Sequence, residues 1–191
     1  MLADCLVTDR QFGVTRTGGE REAPDTGAVG CVAEVRANEQ LADGRSNILV
    51  LGLARFILRR MLADPAPYHV GLVEEFEEER GTMPSPASVH ELRALFLRYY
   101  RGLRLLNDSD PDEPTLPDEP LPLSFAVAAA VECEIDLKQR LLATRSTNER
   151  VHLLLRLLPG LTGSIESALR IHRGAHQNGK GGMHPVLPSD S

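Results

Sequence analysis

Between residues 10 and 76 apolar and polar positions alternate, the spacing of side chains on a pleated strand. In Arg10–Thr15, Phe12 and Val14 stand between polar neighbours, and in Ala28–Arg36 the positions Val29, Cys31, Ala33 and Val35 form one apolar face. The intervening Thr17–Gly27 is rich in Gly, Pro and charge and reads as a loop. Asp43-Gly44 precedes the run Ile48-Leu49-Val50-Leu51, a hairpin pattern because Asp-Gly tolerates the positive φ of a tight turn. That run is apolar on both faces, which predicts a central, covered strand. Gly52 marks a bulge or bend before Arg55-Phe56-Ile57-Leu58 continues. A last strand is expected over Tyr68–Glu74, with Pro65 and Pro67 before it. The whole reads as an antiparallel meander curling toward a small barrel.

Beyond residue 82 the period changes. Val89, Leu92, Phe96, Tyr99, Leu103 and Leu106 step by three and four, which predicts one long amphipathic helix within 83–107, opened by a Ser88/Glu91 capping box. Asn107–Pro122 holds six acids, five prolines and no base, and reads as a solvated acidic loop, taken as 108–122. Shorter helices are expected over about 123–131, 136–143 and 147–158, the last opened by Ser146 and Glu149 and stopped by Pro159-Gly160. Ser164–His172 adds one more helical segment, so that 123–173 forms a bundle and 174–191 a flexible tail. The fold class is α+β, with strands in 1–82 and helices after them.

Composition narrows the function. The chain has 191 residues, 42 % hydrophobic and 25 % charged, with a net charge of −6, which excludes a wholly disordered chain and a general nucleic-acid or membrane-surface binder. No apolar run approaches the roughly 20 residues of a membrane helix, and Asp4 argues against a signal peptide. Cys5, Cys31 and Cys133 have neither pairing nor C-x-x-C spacing, which fits reduced thiols in a cytoplasm. Charge is uneven: residues 1–137 carry 24 acids and 13 bases, whereas 138–180 carry 8 bases and 2 acids. The basic stretch could face an acidic partner or RNA, but a solvated arginine-bearing helix face is the preferred reading. The run Glu74-Glu75-Phe76-Glu77-Glu78-Glu79 likewise reads as a solvated strand end.

Candidate catalytic patterns fail on context. Gly174–Gly181 has the P-loop spacing G-x-x-x-x-G-K, but Gly181 stands where a Ser or Thr must hold magnesium, and a helix rather than a strand precedes it. A Ser-Lys dyad would need Lys138, on a short amphipathic helix, or Lys180, in the tail, and neither is a desolvated setting. No G-x-S-x-G elbow exists. His69, His90 and His152 are scattered, while His172, His176 and His184 have no carboxylate nearby to orient them as metal ligands. Cys5 and Cys31 read as small apolar core residues. The sequence therefore offers no catalytic, cofactor-binding or metal-binding residue. The substrate-contact residues are unreadable, because the apolar positions that could touch a client are those that build the core.

The order of these pieces resembles the Lon protease N-terminal substrate-binding domain in its short stand-alone bacterial form. Met1–Leu6 is similar to the end of that family's first helix, Arg10–Val14 to the strand after it, and Gly30-Cys31-Val32-Ala33-Glu34-Val35 to its G-T-V-A-E-I strand. Leu41–Gly52 resembles its P-D-G-R-x-N-I-L-V-x-G hairpin, and Arg55-Phe56 and Pro67-Tyr68-His69-Val70 its R-F and P-Y-x-V elements. Leu137–Leu142 and Glu149–Leu158 are similar to its K-Q-x-L-L and E-R-L-x-x-L-L helices, so the likeness runs from Met1 to about Leu158. It implies a PUA-like antiparallel β-barrel followed by an α-helical bundle. The family opens with a proline-flanked strand pair that has no counterpart here, so an incomplete, open barrel is expected. The resemblance further implies a non-catalytic module for unfolded or degron-bearing protein segments, with a separate protease or chaperone as an open partner and neither nucleic acid nor membrane. The alternatives are an RNA-binding PUA-like module and an accessory subunit of an ATP-dependent peptidase.

Overall fold

The computed structural model describes residues 1–19, 23–107, 109 and 112–178. In chain order the elements are α1 (Leu2–Val7), β1 (Gln11–Thr15), β2 (Val29–Gln40), β3 (Ser46–Leu62), β4 (Val70–Glu75), α2 (Pro86–Leu106), α3 (Pro120–Ala130), α4 (Ile135–Ala143) and α5 (Thr147–Asn178). They fall into two units. The strand unit joins Met1–Thr82 to Cys133–Thr147, and the helical unit joins Met83–Glu132 to the chain from Asn148 onward.

The strands form one antiparallel sheet in the order β1-β2-β3-β4, as the alternating pattern requires. Val29, Ala33 and Val35 of β2 are buried, with Phe56 and Leu58 of β3. Gly30 faces Phe56 across the ladder, and a Cβ there would lie 2.4 Å from the Phe56 ring and 2.6 Å from the Val14 carbonyl oxygen. Only a residue without a side chain lets that ring cross the sheet. The Asp43-Gly44 turn forms as read: Gly44 has φ 85°, and the Asp43 carboxylate accepts from the Arg45 amide at 3.0 Å and its Nε at 2.8 Å.

β3 departs from expectation. It is one strand of 17 residues through Gly52, with an irregular register beside Leu53, and the Ile48–Leu51 run is exposed rather than covered. The pairing explains this. β1 reaches β2 only from Gly30 to Glu34, and β4 reaches β3 only from Phe56 to Leu62. Beyond those limits, among the described residues, the two strands form a ladder only with each other; every β3 residue from Asn47 to Ala54 is exposed, while Val35, opposite Val50, stays buried.

α4 joins the strand unit instead of extending the expected 123–173 bundle. Gln139 Nε2 donates to the Val29 carbonyl at 2.8 Å, and Arg55 Nη1 donates to the carbonyls of Leu142 at 2.6 Å and Thr144 at 2.9 Å, where a helix end leaves oxygens unpaired. Arg16 pairs with Asp136.

In the helical unit Leu92, Phe96, Tyr99, Leu123, Val127, Val131, Val151, Leu154, Leu158 and Ile165 are buried. Arg150 is buried with them: its Nε donates to Ser124 Oγ at 2.9 Å and its guanidinium lies 3.8 Å from the Phe125 ring centroid. The cap of α2 is Ser85, not Ser88; Ser85 accepts from the Ser88 amide at 3.1 Å, because Pro86 fits the first helical turn. α3 begins at Pro120 by the same preference, inside the expected acidic loop. Residues before it are held to α2, since Arg93 Nη2 donates to the Pro117 carbonyl at 2.6 Å.

Pro159 does not stop α5, which continues to Asn178. A proline inside a helix costs about 3 kcal/mol. Here Pro159 is exposed, while Leu158, Thr162 and Ile165 keep the buried stripe running across it. Thr162 Oγ1 also donates to the Leu158 carbonyl at 2.8 Å. The expected tail is thus helical over 174–178, and its remainder lies outside the described residues.

Candidate functional site

A cleft opens along the sheet, with both apolar and polar side chains in its lining. Phe12 and Val14 of β1, Phe56 and Leu58 of β3, and Val70 and Val73 of β4 line an open cleft of about 970 Å³. Val14 is 48 % and Val73 46 % exposed, so the cleft presents large apolar groups to solvent. β1 pairs only with β2 and β4 only with β3 among the described residues, so each presents an unpaired backbone edge beside the cleft. Thr15, at the end of β1, lines the cleft with a buried hydroxyl oxygen that has no hydrogen-bond partner. A buried polar atom without a partner is uncommon, and a ligand with a backbone donor or hydroxyl would satisfy it.

The rim carries acids. Tyr68 lines the cleft, and the Asp4 charge, reinforced by burial and a hydrogen bond to Asp4, pushes its phenol above the ordinary range. Asp4 itself meets the amino terminus at 3.1 Å. The acidic run at the end of β4 is only partly a solvated strand end. Glu74 pairs with Arg59 at 2.7 Å on the surface, and this hydrogen bond and charge hold its carboxyl below the usual range. Glu78, by contrast, is a structural tie. It accepts from Arg55 Nη2 at 2.6 Å and from Thr147 Oγ1 at 3.0 Å, beside a Phe76 ring approached by Arg55 at 4.9 Å and Arg145 at 5.3 Å. The pattern that could have shown this was Phe76 interrupting the acids, with an arginine inside the apolar run of β3.

The other candidates do not converge on a chemical centre. Lys138 lies half-buried on α4, and Lys180, His184 and the end of the P-loop-like stretch lie outside the described residues. His69, His90 and His152 are exposed on a loop, on α2 and on α5. Among the described residues no three His, Cys, Asp or Glu side chains form a metal-binding group. Cys5 is buried, while Cys31 and Cys133 are half-buried free thiols, and burial pushes the Cys31 thiol up, away from the reactive thiolate. The basic excess of 138–180 serves packing in part: Arg150 is buried, and Arg145 stacks on Phe76 and donates to the Glu77 carbonyl at 3.0 Å.

Comparison with known proteins identifies the family of this α+β chain. Residues 1–159 match the sequence pattern of the ATP-dependent protease La (LON) substrate-binding domain, and the chain belongs to that family. It is 27 % identical over 174 residues to Lon protease 1 of Syntrophobacter fumaroxidans, covering 89 % of this chain but 20 % of that protein. The chain therefore spans about a fifth of the curated relative it matches. Its fold is similar to that of a Lon N-terminal domain protein from Xanthomonas campestris, with TM-score 0.56 and 19 % identity over 81 % of this chain and 79 % of the other. It is also similar to the N-terminal domain of a Mycobacterium avium complex Lon protease, with TM-score 0.54 and 19 % identity over 80 % and 89 %. The family is a substrate-recognition module by description, related to proteolysis. Among the described residues no helix is long and apolar enough to cross a membrane.

Proposed function

We propose that this chain is a non-catalytic recognition module of the cytoplasm that holds extended apolar segments of unfolded or degron-bearing polypeptides in the cleft along its sheet, for a separate protease or chaperone to act on. The observation that carries the reading is the cleft itself, in which Val14, Val70 and Val73 meet polar groups such as Thr15 and Tyr68, bordered by unpaired strand edges. An extended segment laid along β1 or β4 pairs its backbone with the free edge and sends alternate side chains into the cleft. β1 has five residues and β4 six, so the recognised stretch is about that long. Backbone pairing is indifferent to sequence, which suits a module that must accept many clients.

The test is fluorescence anisotropy of a labelled extended apolar peptide against the full chain and its Val14→Asp and Val73→Asp variants. Both positions are about half exposed, so the fold tolerates the change while the cleft gains a charge. Each substitution is expected to weaken binding about tenfold or more. Unchanged affinity in variants that keep the circular dichroism of the parent overturns the reading, as does equal binding of a folded client.

A further inference from the structure

We propose that the distal ribbon of β2 and β3 joins two copies of this chain, through antiparallel pairing of the β3 edge between Ser46 and Ala54. The ribbon is separate from the cleft, and the inference stands independently of what the cleft binds. Five aliphatic side chains are displayed there: Ile48 at 38 %, Leu49 at 65 %, Val50 at 41 %, Leu51 at 47 % and Leu53 at 45 % exposure. Ile48 and Val50 project from one face of the ribbon and Leu49 and Leu51 from the other, so exposed apolar groups flank the edge on both sides.

The edges differ in charge, and the difference selects the partner. Free strand edges in monomers are blunted by charge, proline or short length. β1 is short and flanked by Arg10 and Arg16, and β4 ends in Glu74-Glu75. The outer edge of the ribbon on β2 carries Arg36, paired with Glu34 at 3.2 Å, and Glu39. From Asn47 to Ala54 the β3 edge carries no charge and no proline. A neutral edge meets no repulsion from an identical edge, so a second copy is a matching occupant, whereas the charged edges disfavour pairing with themselves.

Symmetry fixes the register. A two-fold axis perpendicular to the ribbon keeps each face of both copies on the same side, so facing residues must have the same parity and the pairing must centre on a residue. The middle of the unpaired stretch 46–54 is Val50. Centring there sets each Leu49 against the other copy's Leu51 and brings the two Val50 side chains together. Because the contact is a single pair of ribbons, its area falls below that of a standard interface, and the dimer should be weak and dissociate on dilution.

The experiment is sedimentation equilibrium of the full chain over a dilution series, with Val50→Lys and Val50→Cys variants. The parent is expected to pass from dimer to monomer on dilution. Val50→Lys, which sets two ammonium groups at the axis, should weaken the dimer about tenfold or more while leaving the circular dichroism unchanged. Val50→Cys should yield a disulfide-linked dimer under mild oxidation that the parent, with its own three thiols, does not form. A parent monomeric at every concentration overturns the proposal. So does a dimer indifferent to Val50→Lys, which would place the contact elsewhere. Dissociation of the dimer by an extended apolar peptide that crosslinks to residue 50 would assign the edge to substrate and overturn it as well.

Discussion

In the helical unit Leu92, Phe96, Leu123, Leu154 and Leu158 are at most 1 % exposed, whereas in the strand unit Ile48, Leu49, Val50, Leu51 and Leu53 stand 38–65 % open. The residue types are alike, so the difference lies in geometry. A helix hides one stripe by laying it against other helices, and the helical unit does this from three directions with α2, α3 and α5. A sheet has two faces and two edges, and four strands of unequal length leave several of them uncovered. The helical unit therefore hides most of its apolar stripe, whereas the strand unit buries Val29, Ala33, Val35, Phe56 and Leu58 and leaves the β3 run in solvent. The strand unit compensates with polar ties, Arg55 and Gln139 to α4 among them.

The largest effect expected from this contrast comes from one truncation made in both units. Leu154→Ala empties a site with no solvent access and should cost about 2–5 kcal/mol, read from chemical denaturation followed by helical circular dichroism. Leu49→Ala removes an exposed side chain and should change stability by less than about 0.5 kcal/mol in the monomer at high dilution. Comparable losses at the two sites would break the distinction drawn between the units.

The same contrast explains what could be read from the residues alone. The strand alternation around Val29, Ala33 and Val35 and the three-four spacing around Leu92, Phe96 and Tyr99 were legible, because local periodicity reports which face is buried. The exposure of Ile48–Leu51 was not. A run apolar on both faces signals burial only if other strands reach it, and strand reach depends on the lengths of β1 and β4 rather than on the run itself. Pro159 misled for a related reason: local rules stop the helix there, and a buried stripe that continues through Ile165 overrides them. Of the cleft, Val14 and Val70 were recognised as strand residues, but their shared open face depends on pairing between distant segments. The tie between Arg55 and Glu78 spans 23 residues and was likewise out of reach of local pattern.

A smaller effect is expected from Arg55. Arg55→Ala strips α4 of donors to two carbonyls and leaves Glu78, itself only about a quarter exposed, without its arginine. Hydrogen bonds to a charged group contribute about 1.5–3 kcal/mol, and a loss of about that size is expected. Hydrogen exchange should show where it falls, with α4 amides exchanging faster while those of α2 hold their protection. Lysine should restore little, because one ammonium cannot reproduce the fork that reaches both carbonyls and Glu78. Equal acceleration in α2 would mean that the helical unit depends on this tie too.

The smallest effect belongs to Arg59 and Glu74, which make the same kind of pair as Arg55 and Glu78 but on the surface, with side chains 49 % and 61 % exposed. Arg59 lowers the Glu74 carboxyl below its ordinary 4.5, so whatever stability the pair supplies is present above that pH and is lost as pH falls through the depressed value. Water screens the pair, and Arg59→Gln should move the melting temperature at neutral pH by no more than about 1 °C. The gap between parent and variant should then close in acid, where Glu74 is protonated in both. A larger gap that persists at low pH would have to come from the arginine's aliphatic stem covering apolar surface of β3 and β4, and the strand unit would then use its charged residues as cover for the apolar groups that its helices leave exposed.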